Sequence, residues 1–228
     1  MKKNILVVAA HPDDEILGCG GTLIKLKNRG YKIQCIFLAD GETSRSFKKK
    51  IIFTKEINLR EKQAIKISRM LKFNYPKFFR FPDNKIDQIP LINLVKVIEN
   101  EIKHFKPSII FTNSSCDLNI DHSRTCKAVL TATRPFSKSF VKKIYSFEIA
   151  SNSEMYFKNN KKIFIPNLFS DIGKQIRKKI KLIKIYSKEI RKFPHPRSAE
   201  GVKVLARYRA SQSGLKYAEA FEILRDFV

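Results

Sequence analysis

Acidic residues are scarce in this chain of 228: 21 Asp and Glu stand against 46 Lys and Arg, a formal net charge of +25. Such a balance favours anionic partners, which leaves nucleic acid, an anionic membrane or a phosphorylated substrate as candidates. The lysines are interleaved with Ile and Asn, and no nucleic-acid-binding module is recognisable, so no nucleic-acid partner is expected. Cysteine is sparse as well. Cys19, Cys35, Cys116 and Cys126 form no CxxC pair, which excludes a dense disulfide framework and fits a reducing compartment. No stretch approaches the ~20 apolar residues that span a bilayer. The short apolar run after Met1-Lys2-Lys3 meets His-Pro-Asp-Asp instead of a small-residue cleavage site. The expectation is a cytoplasmic protein without a transmembrane segment. Linkers and internal repeats are missing too, so one domain over residues 1–228 is expected, with homo-oligomerisation left open. Finally, there is no GxGxxG. Gly18-Cys19-Gly20-Gly21 falls after the start of a helix, where close packing explains it better than a dinucleotide.

What is present is concentrated in Ala10-His11-Pro12-Asp13-Asp14-Glu15. The apolar run before it reads as a buried parallel strand, and residues 16–29 after it read as a helix. The motif therefore sits at the carboxyl end of a first strand, where open α/β sheets place their ligand sites. Three carboxylates in one short turn repel each other, which calls for a cation. His11 and Asp14 are spaced to converge on one point, and imidazole plus carboxylate suits zinc or another first-row metal. Asp13 beside them is placed to act as general base toward an attacking water. Glu15 falls in the first helical turn, where the macrodipole favours negative charge.

Further strands are expected over 32–39, 78–81, 108–112 and 143–149, alternating with helices over 56–71, 91–105 and 123–133. A long basic amphipathic helix is expected over 172–191, packed internally with a solvated face. The fold class that follows is α/β, a Rossmann-like and largely parallel sheet flanked by helices. Asp117-Leu118-Asn119-Ile120-Asp121-His122 repeats the logic of the first motif where the fourth strand gives way to a helix. Two such strand ends can face one crevice, and His122 then completes a His/Asp/His site with one position open.

Residues 8–21, from Val8-Ala9-Ala10-His11-Pro12-Asp13-Asp14-Glu15 to Gly21, resemble the opening motif of the PIG-L/LmbE family of zinc-dependent N-deacetylases. The resemblance extends over most of the chain. It implies one zinc or other divalent ion per chain, and a hydrolase removing an N-acetyl group from an amino-sugar derivative, nucleotide- or lipid-linked carriers included. It places Glu42, with Arg45, in a loop beside the metal, although a solvated loop accounts for Arg45 equally well. It also makes Arg60 and Asp83 substrate contacts, where a surface ion pair and a turn-forming Asp are the bland alternatives. Many relatives carry a second, oxyanion-stabilising histidine where this chain has Asn119, whose amide donates a hydrogen bond but carries no charge. Sugar-linked relatives also carry the string Pro194-His195-Pro196-Arg197-Ser198. Two prolines stiffen that segment, so His195 is expected over the metal pocket as the charged donor, oriented by Asp121. Arg60, Arg134 and Arg197 together with the net charge predict an anionic small-molecule substrate. Two other readings stay open: a same-fold hydrolase of a non-sugar amide or formyl group, and a basic anion-binding protein on a degenerate enzyme scaffold.

Overall fold

The apolar run of β1 (Asn4–Ala9) is buried on both faces, and its alternation builds the two sides of the molecule. Ile5, Val7 and Ala9 join Ile33, Cys35 and Phe37 in one core, whereas Leu6 and Val8 join Ile36, Leu38, Ile110 and Ile144 in the other. The computed structural model describes residues 3–44, 50–153 and 163–227. Among these, five strands run parallel: β1, β2 (Lys32–Ala39), β3 (Lys77–Phe81), β4 (Ile109–Asn113) and β5 (Lys143–Phe147). Two more, β6 (Leu168–Asp171) and β7 (Ala218–Asp226), are antiparallel additions, and the sheet order is β3-β2-β1-β4-β5-β7-β6.

Helices α1 (Asp14–Asn28) and α2 (Lys50–Leu71) and the short α5 (Ile176–Ile183) cover the first core. Helices α3 (Leu91–Phe105) and α4 (Ile120–Ala132) cover the second. Helix α6 (Ala199–Ser211) packs through Val202 and Ala206 beside α5. The chain leaves β1 toward β2 on one side and returns as β4 on the other. That reversal opens a crevice at the carboxyl ends of β1 and β4.

Two elements differ from the sequence reading. The long helix expected over 172–191 is an α-helix of eight residues, after which the chain turns. Past Ile183 the chain follows tertiary contacts instead of helical continuation: Tyr186 reaches Glu15 and Glu189 reaches Arg60. The strands β6 and β7 were not anticipated either. Glu219 on β7 points inward and accepts from the N–H groups of Gly21 and Thr22, at 2.7 Å each, and from Lys179 Nζ at 2.7 Å. An inward carboxylate of that kind removes the alternation by which strands are read. Arg45, Lys48 and Lys49 lie outside the described residues. All four cysteines are free thiols, and among the described residues no helix is long and apolar enough to cross a membrane.

The start of α1 is fixed from below by Glu15. Its carboxylate accepts the Asp13 N–H at 3.0 Å and the Tyr186 hydroxyl at 2.6 Å. Burial pushes this carboxyl up to about 8 from its ordinary 4.5, against the opposing pull of the Tyr186 hydrogen bond. Glu15 is therefore neutral in the fold at neutral pH. Because the folded value is raised, its contribution to stability is full below the ordinary value and is lost as pH rises through about 8. Glu15→Gln keeps the shape without the titration. Its melting temperature should fall less between pH 5 and pH 8.5 than that of the parent, and parallel curves would reject this account.

The glycines of α1 mark close packing, as the sequence suggested. A Cβ on Gly18 would lie 2.1 Å from the Phe147 ring, which is fully buried on β5. Gly18→Ala should destabilise by ~1–3 kcal/mol through overpacking, despite alanine's better helix propensity. A thermal melt that shows stabilisation would contradict it.

Candidate active site and metal centre

The turn between β1 and α1 brings its polar side chains inward. Asp13 takes φ 135°, a conformation rare for a residue with a side chain, and His11, Asp13, Asp14 and Glu15 are all buried. From the neighbouring strand end, α4 opens with Asn119 as its N-cap, the amide oxygen accepting from the Asp121 N–H at 2.8 Å. This cap points Asp121 and His122 of the first turn back toward β1.

Three ligand atoms, one each from His11, Asp14 and His122, lie within 4.8 Å of one another. His11 Nδ1 is 3.2 Å from His122 Nε2, and Asp14 Oδ2 is 3.6 Å from the former and 3.4 Å from the latter. The remaining nitrogen of each imidazole faces carboxylate. His11 Nε2 contacts Asp83 Oδ1 at 2.9 Å and Asp121 Oδ2 at 3.0 Å, and His122 Nδ1 lies 2.9 Å from Asp117 Oδ2. Carboxylates behind the imidazoles fix tautomer and ring orientation, an arrangement typical around ligating histidines.

A second group, His11 with Asp83 and Asp121, also has the composition of a metal site. Its carboxylates are already satisfied: Asp121 accepts from the N–H groups of Asn84 at 2.7 Å and Ile86 at 3.1 Å, and Asp83 accepts from Ser44. Asp14 differs. Its Oδ2 accepts from the His11 N–H at 3.0 Å and from Asn113 Nδ2 at 3.1 Å, while its buried Oδ1 has no hydrogen-bond partner among the described residues. His11 Nδ1, His122 Nε2 and Asp14 Oδ2 lie together, and the other oxygen of the same buried carboxylate has no donor; this donor set fits a divalent ion at His11, Asp14 and His122. The charges agree. Burial alone would lower the His11 imidazole, yet hydrogen bonds to Asp121, Asp14 and Asp83 raise it well above its ordinary value. Asp14, which burial would raise, is held far below the carboxylate range by His122 and His11.

Asp13 stands beside this set, clamped by two guanidinium groups. Arg60 Nη2 meets Oδ1 at 3.0 Å and Arg197 Nη1 meets Oδ2 at 3.2 Å. Burial raises the Asp13 carboxyl above its ordinary value, although both arginines pull it down. Glu189 lies 3.4 Å from each of these arginines and joins them. Arg60 is wholly buried. It donates from Nε to Pro12 O at 2.7 Å and from Nη1 to Gly41 O at 2.6 Å and Glu42 Oε1 at 3.1 Å. Gly41, at φ 73°, is required here, because a Cβ would lie 2.6 Å from Arg60 Nη1.

A cavity of about 130 Å³ opens at this point, with His11, Asp13, Asp83, Asn119 and both arginines among its lining residues. Most of the residues expected at the site are thus brought together. Glu42 is there as a partner of Arg60, and Asp121 orients His11 instead of His195. Two expectations are corrected. Arg134 is exposed beyond the far end of α4, and with a rise of ~1.5 Å per residue it lies on the order of 18 Å from His122. His195 does not line the cavity. Its Nδ1 accepts the Arg197 N–H at 3.0 Å, so the stiff loop is folded on itself and delivers Arg197. Asp117, Asn113, Tyr186 and Glu189 were missed. Asp117 had a signal in its place on the second motif, and Asn113 in its place as a polar residue ending β4, whereas Tyr186 and Glu189 come from a distant segment with nothing local to mark them.

Comparison with known proteins agrees with this geometry. Residues 6–133 match the model of the PIG-L family, described as GlcNAc-PI de-N-acetylase. A probable N-acetyl-alpha-D-glucosaminyl L-malate deacetylase 2 of Bacillus anthracis is 23% identical over 173 residues, 72% of this chain and 76% of the relative. The N,N'-diacetylchitobiose deacetylase of Pyrococcus horikoshii superposes with a TM-score of 0.75 at 19% identity, covering 98% of this chain and 84% of that one. The same fold also serves a different reaction. GalB, the 4-carboxy-2-hydroxymuconate hydratase of Pseudomonas putida KT2440, superposes at 0.74 with 19% identity, covering 99% and 98% of the two chains. The matched segment holds both strand-end motifs and more than half of the sequence, and on that ground the chain belongs to the PIG-L family of deacetylases.

Proposed function

We propose that the chain is a zinc-dependent amidohydrolase that removes the N-acetyl group of an amino-sugar derivative carrying an anionic substituent. The observation that carries this reading is the convergence of His11 Nδ1, His122 Nε2 and Asp14 Oδ2, within 3.6 Å of one another, with Asp13 alongside. A divalent ion held there would supply Lewis acidity toward the amide carbonyl and acidify the attacking water.

The chain's own residues account for the rest. Asp13, held by Arg60 and Arg197, accepts the proton of the water as its oxygen bonds to the carbonyl carbon. Asn119 spends its amide oxygen on the Asp121 N–H, which leaves its NH₂ group to donate to the developing oxyanion. Asp13 then returns the proton to the nitrogen as the C–N bond breaks, giving acetate and a free amine. Arg60 is a positioning residue, its donors engaged by Asp13, Pro12, Gly41 and Glu42. Arg197 is more exposed, and beside its contacts to Asp13, Glu189 and Ser151 it presents its other guanidinium nitrogen at the cavity to an anionic group of the substrate. His195 serves by holding the loop that presents it. The malate-linked sugar in the name of the Bacillus anthracis relative supports a carboxylate-bearing substrate, while the N,N'-diacetylchitobiose in the name of the Pyrococcus horikoshii enzyme is neutral.

Asp13→Asn should lower turnover by roughly 10²–10⁴-fold with the metal retained, read by amine release and metal analysis of the same preparation. Metal loss would make Asp13 a ligand, and unchanged turnover would dismiss the mechanism. Across a panel of N-acetylated sugars, those bearing a carboxylate or phosphate should be hydrolysed faster than neutral N,N'-diacetylchitobiose. Arg197→Gln should lower turnover on every member, because Asp13 loses one of its two guanidinium partners, and should raise KM for the anionic members only. No amine release from any member would reject the reading, and equal KM changes on neutral and anionic members would reject substrate binding by Arg197.

A further inference from the structure

The strongest charge feature outside the site is on α5. Residues 172–188 contain seven Lys and Arg and no Asp or Glu. Lys179 turns inward, donating to Leu17 O and Glu219 Oε1 at 2.7 Å each, and the apolar Ile176, Ile180 and Ile183 are buried. The others are left on the outer side. There an open cleft of about 840 Å³ is lined by Lys174, Arg177, Lys181 and Lys184 from α5 and the turn before it. Lys203 of α6 and Lys216, which precedes β7, also line it. All six are exposed, and none makes an ion pair or a side-chain hydrogen bond among the described residues. Like charges gathered from three chain segments repel one another, and no carboxylate lines the cleft to relieve them.

We propose that this cleft is a binding site for a compact soluble anion with several phosphate groups, separate from the deacetylase reading above. Three features select that class. The cations stand on segments from different parts of the chain around a hollow, which suits an anion enclosed by charge better than a flat bilayer. Five of the six are lysines, flexible point charges that match spread negative charge better than one bidentate carboxylate. Tyr217 is the one aromatic residue lining the cleft, too little for the successive stacking that holds single-stranded nucleic acid.

The test is titration of the full-length, metal-loaded protein with inorganic tripolyphosphate by calorimetry, at low and at moderate salt. Two charge-matched variants accompany it. Arg177→Glu/Lys181→Glu/Lys203→Glu alters the cleft, and Lys66→Glu/Lys96→Glu/Lys103→Glu alters exposed lysines on α2 and α3. Any heat from the metal site is common to both. The cleft variant should bind at least ~10-fold more weakly and the other within ~3-fold, with affinity falling as salt rises. Arg177→Gln/Lys181→Gln/Lys203→Gln should fall between the parent and the reversed cleft variant, which guards against misfolding of the reversed one. Equal losses in both charge-matched variants would assign binding to net charge and overturn the site, as would no binding by the parent. Tighter cleft-dependent binding to a single-stranded oligonucleotide, or to vesicles containing 30% phosphatidylglycerol, would overturn the choice of ligand.

Discussion

A single buried guanidinium ties the site to the fold. Arg60 arrives from α2 and meets the β1–α1 turn at Pro12 and Asp13, the β2 loop at Gly41 and Glu42, and the segment after α5 at Glu189. Burial lowers a cation's affinity for its proton, but Asp13, Glu189 and Glu42 reverse that and raise Arg60 above its ordinary value. The dependence is mutual. Without Arg60, Asp13 and Glu189 would be left with Arg197 alone as their guanidinium partner, and breaking a buried ion network is far more damaging than never having built one. The same contacts explain why Gly41 has no side chain and why the chain abandons its helix at Ile183.

Around this guanidinium the carboxylates divide by what satisfies them. Asp121 and Asp117 receive backbone N–H groups and stand behind the two imidazoles. Glu15 is neutral and structural, a cap beneath Asp13. Among the described residues two buried carboxylate oxygens lack a hydrogen-bond donor, Asp13 Oδ1, which has the Arg60 guanidinium at 3.0 Å, and Asp14 Oδ1 beside the histidine pair. Adjacent residues in the sequence thus take three different parts, and what sorts them is the direction in which the turn at Asp13 aims each side chain. A turn in an ordinary conformation would not separate Asp13 from Asp14 so cleanly.

The parallel half of the sheet was legible because its strands are buried on both faces and read as unbroken apolar runs, β1 and β2 above all. The metal-type residues were legible because both clusters are local, each within six residues at a strand end. Legibility failed where a residue's partner is remote. Glu219 masks β7 because the backbone donors it serves are on α1. Tyr186 and Glu189 look like the tail of an amphipathic helix until their partners Glu15 and Arg60 are placed opposite. The Pro-His-Pro loop misled differently. Two prolines do not say which side chain the loop presents: Arg197 lines the cavity and reaches Asp13, while His195 Nδ1 accepts the Arg197 N–H.

The charge balance reads differently once burial is known. Of the 21 acidic residues in the sequence, twelve are buried among the described residues: Asp13, Asp14, Glu15, Asp40, Glu42, Asp83, Glu101, Asp117, Asp121, Glu148, Glu189 and Glu219. Of the 46 basic ones, only Arg60 and Lys179 are buried among the described residues. The carboxylates are committed inside, to the imidazoles, the turns and the buried ion pairs, so the surface is left with few of them. An outwardly basic protein is thereby partly a consequence of an inwardly acidic site. What that consequence does not explain is local crowding, since unpaired lysines would lie further apart if solvation alone placed them. Between α5 and α6 six cations are gathered around one hollow, and that arrangement asks for an anion.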